Sequence, residues 1–152
     1  MTETKNRMLN TSLWLSKFVS GLDPNGKLLF CFLLSSPFTN EAGIYEIPIL
    51  MITAFTGLSD PEIEKQFKIF EDRKKIYYYD GFVIIVNHTK HQKLNPNWIK
   101  SIQGRIRQVE SRLKDCEGYK LYKEVFNKVK EEQHGRAGKA KSEIESLSGI
   151  DN

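Results

Sequence analysis

The chain has 152 residues, 39% of them hydrophobic, nine of them phenylalanine, and a net charge of +4 from 23 basic and 19 acidic residues. Those totals fit one folded domain with an appendage and exclude both a disordered chain and two full domains. Cys31 and Cys116 form no CxxC pair, no eighteen apolar residues follow one another, and no basic segment precedes an apolar run near the start. The expectation is therefore reduced thiols in a cytoplasmic protein, with neither a signal peptide nor a membrane span.

In chain order, Leu13, Trp14, Leu15, Phe18 and Val19 are spaced for a short helix laid on a core, with Trp14 part of the packing. Asp23-Pro24 is an N-cap followed by a first-turn proline. The helix it starts carries Leu28, Leu29, Phe30, Phe32, Leu33 and Leu34, is apolar on nearly every side, and is predicted to be central to its domain. Residues 35–42 read as a loop and 43–47 as a short strand. Pro48 opens a helix over 49–56 with Ile52 and Phe55 facing inward, and Gly57 closes it. Ser59-Asp60-Pro61-Glu62 is a capping box. It starts a helix to about Asp72 whose Ile63, Phe67 and Phe70 recur at i, i+4, i+7.

Residues 74–86 are two runs of β-branched and aromatic residues joined by Asp80-Gly81, a pair suited to a two-residue type I′ turn. That turn sets Tyr79 opposite Phe82 and Tyr77 opposite Ile84. One face then carries Ile76, Tyr78, Val83 and Ile85, the other Tyr77, Tyr79, Phe82 and Ile84. Both are apolar, so something must cover or bind the second face. Three occupants fit it: the later helices of the same chain, a second subunit, or unpaired bases.

After a polar connector, Asn95-Pro96 caps a long helix in which Ile99, Ile102, Ile106, Val109 and Leu113 form a heptad seam. The seam either packs along the domain or pairs with a second copy. Glu117-Gly118 is predicted to break the helix. Another amphipathic segment follows over 119–133, and a mobile tail is expected beyond His134. Helix, strand, helix, turn, helix and hairpin is the order of a winged helix-turn-helix. The predicted fold is thus α+β and mostly helical, with a winged helix-turn-helix over 1–94, a C-terminal helical extension over 95–133 and a disordered tail over 134–152.

Charge is unevenly placed. Residues 73–114 hold ten Lys/Arg against Asp80 and Glu110, an excess of +8 that leaves the rest of the chain at −4. Such a run is either a solvated face or a phosphate footprint. The chain has no GxSxG, P-loop or HExxH, so no enzyme is expected. His88 and His91 have no cysteine or carboxylate near them in sequence to complete a metal site, and neither metal nor cofactor is expected.

Gly43-Ile-Tyr-Glu-Ile-Pro48, Thr56-Gly-Leu-Ser59, Lys75-Ile76 with Asp80-Gly81, and Asn87-His-Thr-Lys-His-Gln92 with Asn95-Pro96 resemble the N-terminal module of phage replication initiation proteins. These replisome organisers are related to the DnaD-like primosome proteins. The upstream Lys5-Asn-Arg-Met8 and Trp14 also resemble the start of that module, and the likeness runs over roughly residues 5–100. It implies a winged helix that binds DNA in replication, with a helicase or helicase loader among the partners of longer relatives. A transcriptional regulator or antirepressor, or a protein-interaction module without useful DNA affinity, are the other functions the same fold serves.

On the residues themselves, Lys65 and Lys68 are the candidate phosphate contacts of the third helix and Gln66 its candidate base reader, against four acids on that helix. Arg73, Lys74, Lys75, Lys90, His91 and Lys93 supply the hairpin side, and Lys100 and Arg105 the following helix. For homo-oligomerisation the candidates are Tyr77, Tyr79, Phe82 and Ile84 with Ile99, Ile102, Ile106 and Val109.

Overall fold

Capping chemistry sets the helix starts. Asp23, Ser59 and Asn95 accept hydrogen bonds from the backbone N–H groups of Gly26 (2.7 Å), Glu62 (3.3 Å) and Trp98 (2.9 Å), each just ahead of a first-turn proline. The computed structural model describes residues 6–148. A 3-10 turn, Thr11–Leu15, leads into α1 (Lys17–Ser20) and α2 (Pro24–Ser35). Then come β1 (Ile44–Glu46), α3 (Ile49–Thr56), α4 (Asp60–Asp72) and the hairpin β2 (Ile76–Tyr79) and β3 (Phe82–Ile85). A second 3-10 turn, His88–His91, precedes α5 (Pro96–Leu113) and α6 (Glu117–Ser148). This is a mostly helical α+β fold. No helix among the described residues is long and apolar enough to cross a membrane.

The antiparallel sheet runs β1-β3-β2. Positive φ at Asp80 (50°) and Gly81 (80°) makes the tight turn, and the register pairs Tyr77 with Ile84 and Tyr79 with Phe82 as the two-residue hairpin predicts. Ile44 pairs with Ile84 and Tyr45 with Val83, so β1 joins as the third strand.

Alternation along the strands gives the sheet two cores. Tyr45, Ile76, Val83 and Ile85 pack with Leu29, Leu33, Ile52, Ile63 and Phe70 of α2–α4. Ile44, Tyr77, Phe82 and Ile84 pack on the other side with Ile102, Val109 and Leu113 of α5 and Tyr119, Tyr122 and Phe126 of α6. Each buried aromatic ring removes roughly 150–250 Å² from water, worth about 4–6 kcal/mol at 25 cal/mol/Å² before ordering costs. The later helices of the same chain therefore cover the hairpin's second face.

Four details differ from the sequence expectation. The helix predicted around Leu13–Val19 is divided at Ser16, whose hydroxyl caps α1 at Val19 N, and Trp14 stays 60% exposed. Phe55 does not face inward but is 53% exposed, stacking on Phe32 at 5.7 Å. Gly118 starts rather than stops a helix. Beyond His134, where a mobile tail is expected, α6 continues to Ser148, with Glu, Lys and Ala as strong helix formers and no proline to end it.

Candidate nucleic-acid interface

The end of α4 is closed by backbone alone. Lys75 N donates to Phe70 O and Lys74 N to Glu71 O, both at 2.9 Å, the two bonds of a Schellman cap. Lys74 takes the left-handed position (φ 55°), where glycine is usual and any other residue costs about 1 kcal/mol. The turn carries Lys74 exposed at the base of the hairpin. Arg73 and Lys75 flank it, their cationic groups 5.9 Å and 5.6 Å from the centroid of the Phe18 ring. His91, in the 3-10 turn after the hairpin, is close enough to Lys90 and Lys75 that burial and those two cations lower its pKa. Lys90 and Lys93 are exposed. Of the residues predicted from the sequence as the hairpin side of a phosphate surface, Arg73, Lys74 and Lys75 thus stand at the hairpin's base with His91 and Lys90 near Lys75, and Lys93 is exposed just past the turn.

The tip is held inward. Arg112 on α5 donates to the Asp80 carboxylate at 2.9 Å, lies 3.6 Å from Glu46 and sits 4.6 Å above the Phe82 ring. Arg105, a sequence candidate for DNA, donates instead to Ile44 O at 3.1 Å and packs over Phe82, so its guanidinium ties α5 to the sheet. The sequence pairs neither arginine with the sheet because their contacts with it span more than twenty positions.

On α4, Gln66 is corrected as a base reader. Its side chain is fully buried and donates to Asp23 (3.0 Å) and Glu62 (2.8 Å), joining α4 to the start of α2. The i, i+3, i+7 run of Ile63, Gln66 and Phe70 on one face is the signal for this. Lys65 is exposed but 3.8 Å from the Asp23 carboxylate, while Lys68 is exposed without an ion pair among the described residues. Lys65 and Lys68 share their outward surface with Glu64 and Asp72, and with five acids against two lysines α4 as a whole is net negative.

The oligomer candidates are corrected as well. Tyr77, Phe82, Ile84, Ile102 and Val109 are buried within the chain, and Ile99 and Ile106 pack against the same cluster; Tyr79 alone of the eight is exposed. The approach is close. A Cβ on Gly118 would stand 2.2 Å from Tyr77 Cγ, so α6 reaches the hairpin only because that position has no side chain. Tyr122 donates to Ala42 O, and Tyr119 to Glu110, whose carboxyl pKa falls in consequence.

With its seam turned to the sheet, α5 presents an outward row at i, i+3, i+7 spacing: Asn97, Lys100, Gly104, Arg107, Ser111 and, as C-cap, Lys114. These positions contain no acid, although Glu110, paired with Lys123 and acted on by Lys114, flanks them, and Lys100, Arg107 and Lys114 make no ion pair with the described residues. Lys100 is a sequence candidate. Arg107 and Lys114 are missed as individual sites, although a seven-residue repeat offset from the Ile102 and Val109 seam identifies both.

Other chemistries find little purchase. Burial raises the thiol pKa of both Cys31 and Cys116, opposite to an activated nucleophile. His88 is packed beneath Gly43, where a Cβ would meet its ring at 2.4 Å, and burial lowers its pKa to about 4, with Arg7 and His91 acting in the same sense. Among the described residues no three His, Cys, Asp or Glu side chains are grouped to hold a metal ion. The chain matches no family model, no curated protein and no solved structure.

Proposed function

We propose that the chain is a DNA-binding protein of phage-type replication initiation, in which a winged helix-turn-helix and the helix after it hold duplex DNA chiefly by its phosphates. The observation that carries this reading is the acid-free row of Lys100, Arg107 and Lys114 on α5. At 1.5 Å per residue the row is about 21 Å long. A duplex of that length carries on the order of twelve phosphate charges. Exposed Lys74, Lys90 and Lys93 at the hairpin base add a second cationic surface. The likeness of several short motifs to replisome organisers supports the replication setting, and with it a helicase or its loader as a partner.

The net negative charge of α4 and the burial of Gln66 leave that helix poorly suited to reading bases, which argues against a promoter-reading regulator. The apolar face expected for self-association packs mostly within the chain, with Tyr79 exposed, and lends that expectation no support. The test is fluorescence anisotropy with a labelled duplex and two triple variants, Lys100/Arg107/Lys114→Gln and Lys74/Lys90/Lys93→Gln. Each is expected to weaken binding at least tenfold while leaving the circular dichroism spectrum unchanged. Wild-type affinity in both folded variants would overturn the reading.

A further inference from the structure

A cavity of about 300 Å³ opens between the N-terminal segment, α2, the end of β3 and the start of α5. Its floor is apolar, made by Leu13, Phe18, Phe30, Leu34 and Ile85, and Trp98 stands at its edge. The size is at the small end of ligand pockets, and the apolar floor is ringed by polar and charged residues, ten of the nineteen that line the cavity.

The polar groups are unequal in sign. Arg7 uses only one end of its guanidinium: Nη2 donates to Thr39 O at 3.3 Å and stands 4.0 Å from Glu41, while Nε is buried with no acceptor among the described residues. Lys75 stands in the same wall above the Phe18 ring. His88 and His91 also line it; burial lowers the His88 pKa to about 4, and burial with Lys90 and Lys75 lowers that of His91. Fixed charge on the wall is therefore Arg7 and Lys75 against Glu41, one positive in excess.

We infer that this cavity binds a small amphipathic carboxylate, its apolar body on the Phe18, Leu34 and Ile85 floor and its carboxylate set against the Arg7 and Lys75 cations of the wall. The apolar floor favours a ligand that carries an apolar body beside its charge. The cationic excess favours an acid over the alcohol or amine of the same shape. This site is separate from the basic row on α5, and its occupancy can be measured without any nucleic acid.

The test uses the full chain, isotopically labelled, in amide NMR titrations with phenylbutyrate, phenylbutanol and phenylbutylamine. Phenylbutyrate is expected to shift the amides of Leu13, Phe18, Ile85 and His88, with an affinity about tenfold above the alcohol's and no binding by the amine. Arg7→Gln should reduce the acid to the alcohol's affinity, and the cavity-filling Leu13→Trp should abolish both. Equal binding of acid and alcohol, shifts confined to other surfaces, or no shift at millimolar phenylbutyrate would each overturn the inference. Should Leu13→Trp fail to fold, the acid-to-alcohol ratio in the wild type and in Arg7→Gln still decides it.

Discussion

Replacing Gly118 with alanine tests how α6 is docked. Its new Cβ would stand 2.2 Å from Tyr77 Cγ, 2.3 Å from Cδ1 and 2.8 Å from Cβ, where carbon atoms rest at about 3.5–4.0 Å. Two of those atoms are at the root of the side chain, so rotating the ring cannot clear them, and helix or strand must shift by more than an ångström. Overpacking of this kind costs about 1–3 kcal/mol. Alanine in place of glycine gains at most about 1 kcal/mol of helix propensity, and less in a first turn. The net expectation is a loss of about 1–2 kcal/mol, read as a lower urea midpoint by circular dichroism. Gly135 supplies the control: it lies on the same helix with nothing within 4 Å of an added Cβ, so Gly135→Ala should be neutral or slightly stabilising. If Gly118→Ala behaves like Gly135→Ala, α6 does not lie against Tyr77 and the account of the covered hairpin face fails.

His88 has its pKa lowered from 6.5 to about 4, first by burial and then by Arg7 and His91, with Glu41 opposing. The unfolded chain therefore binds the extra proton between those values. Stability is complete above pH 6.5 and falls through that window by about 3 kcal/mol, and His88→Gln should flatten this part of the urea-midpoint profile. Lys74→Gly relieves the left-handed strain but loosens the unfolded chain, so stability should stay within about 1 kcal/mol of wild type while duplex binding weakens. Unchanged binding would remove Lys74 from the interface. Gln66→Leu should leave duplex affinity unchanged, whereas a residue reading a base edge would lose about 1–3 kcal/mol of discrimination there.

Local chemistry made much of this fold legible. Proline-flanked caps at Asp23, Ser59 and Asn95 placed three helix starts, and Asp80-Gly81 fixed the register of the hairpin. A strand period applied to Tyr77, Phe82 and Ile84 identified an apolar second face, but periodicity states that a face must be covered and not by what. The answer lay at positions 102–126, too far along the chain for local pattern to assign. Gln66 and Arg105 illustrate the same limit from the polar side. Each has a residue type suited to DNA, and each is engaged by a partner dozens of positions away, Asp23 for one and the Ile44 carbonyl for the other. The charge excess over 73–114 was plain from composition, whereas its division into inward arginines (105 and 112) and an outward row (100, 107 and 114) required the helix to be oriented by its buried seam.

The claim that DNA is held by its phosphates is tested most directly by the salt dependence of duplex binding. The wild-type chain should lose affinity linearly in log salt with a slope near −0.9 per phosphate contacted, and the Lys100/Arg107/Lys114→Gln variant should show a slope shallower by roughly 2–3. A wild-type slope near zero, or the same slope in the two proteins, would contradict it.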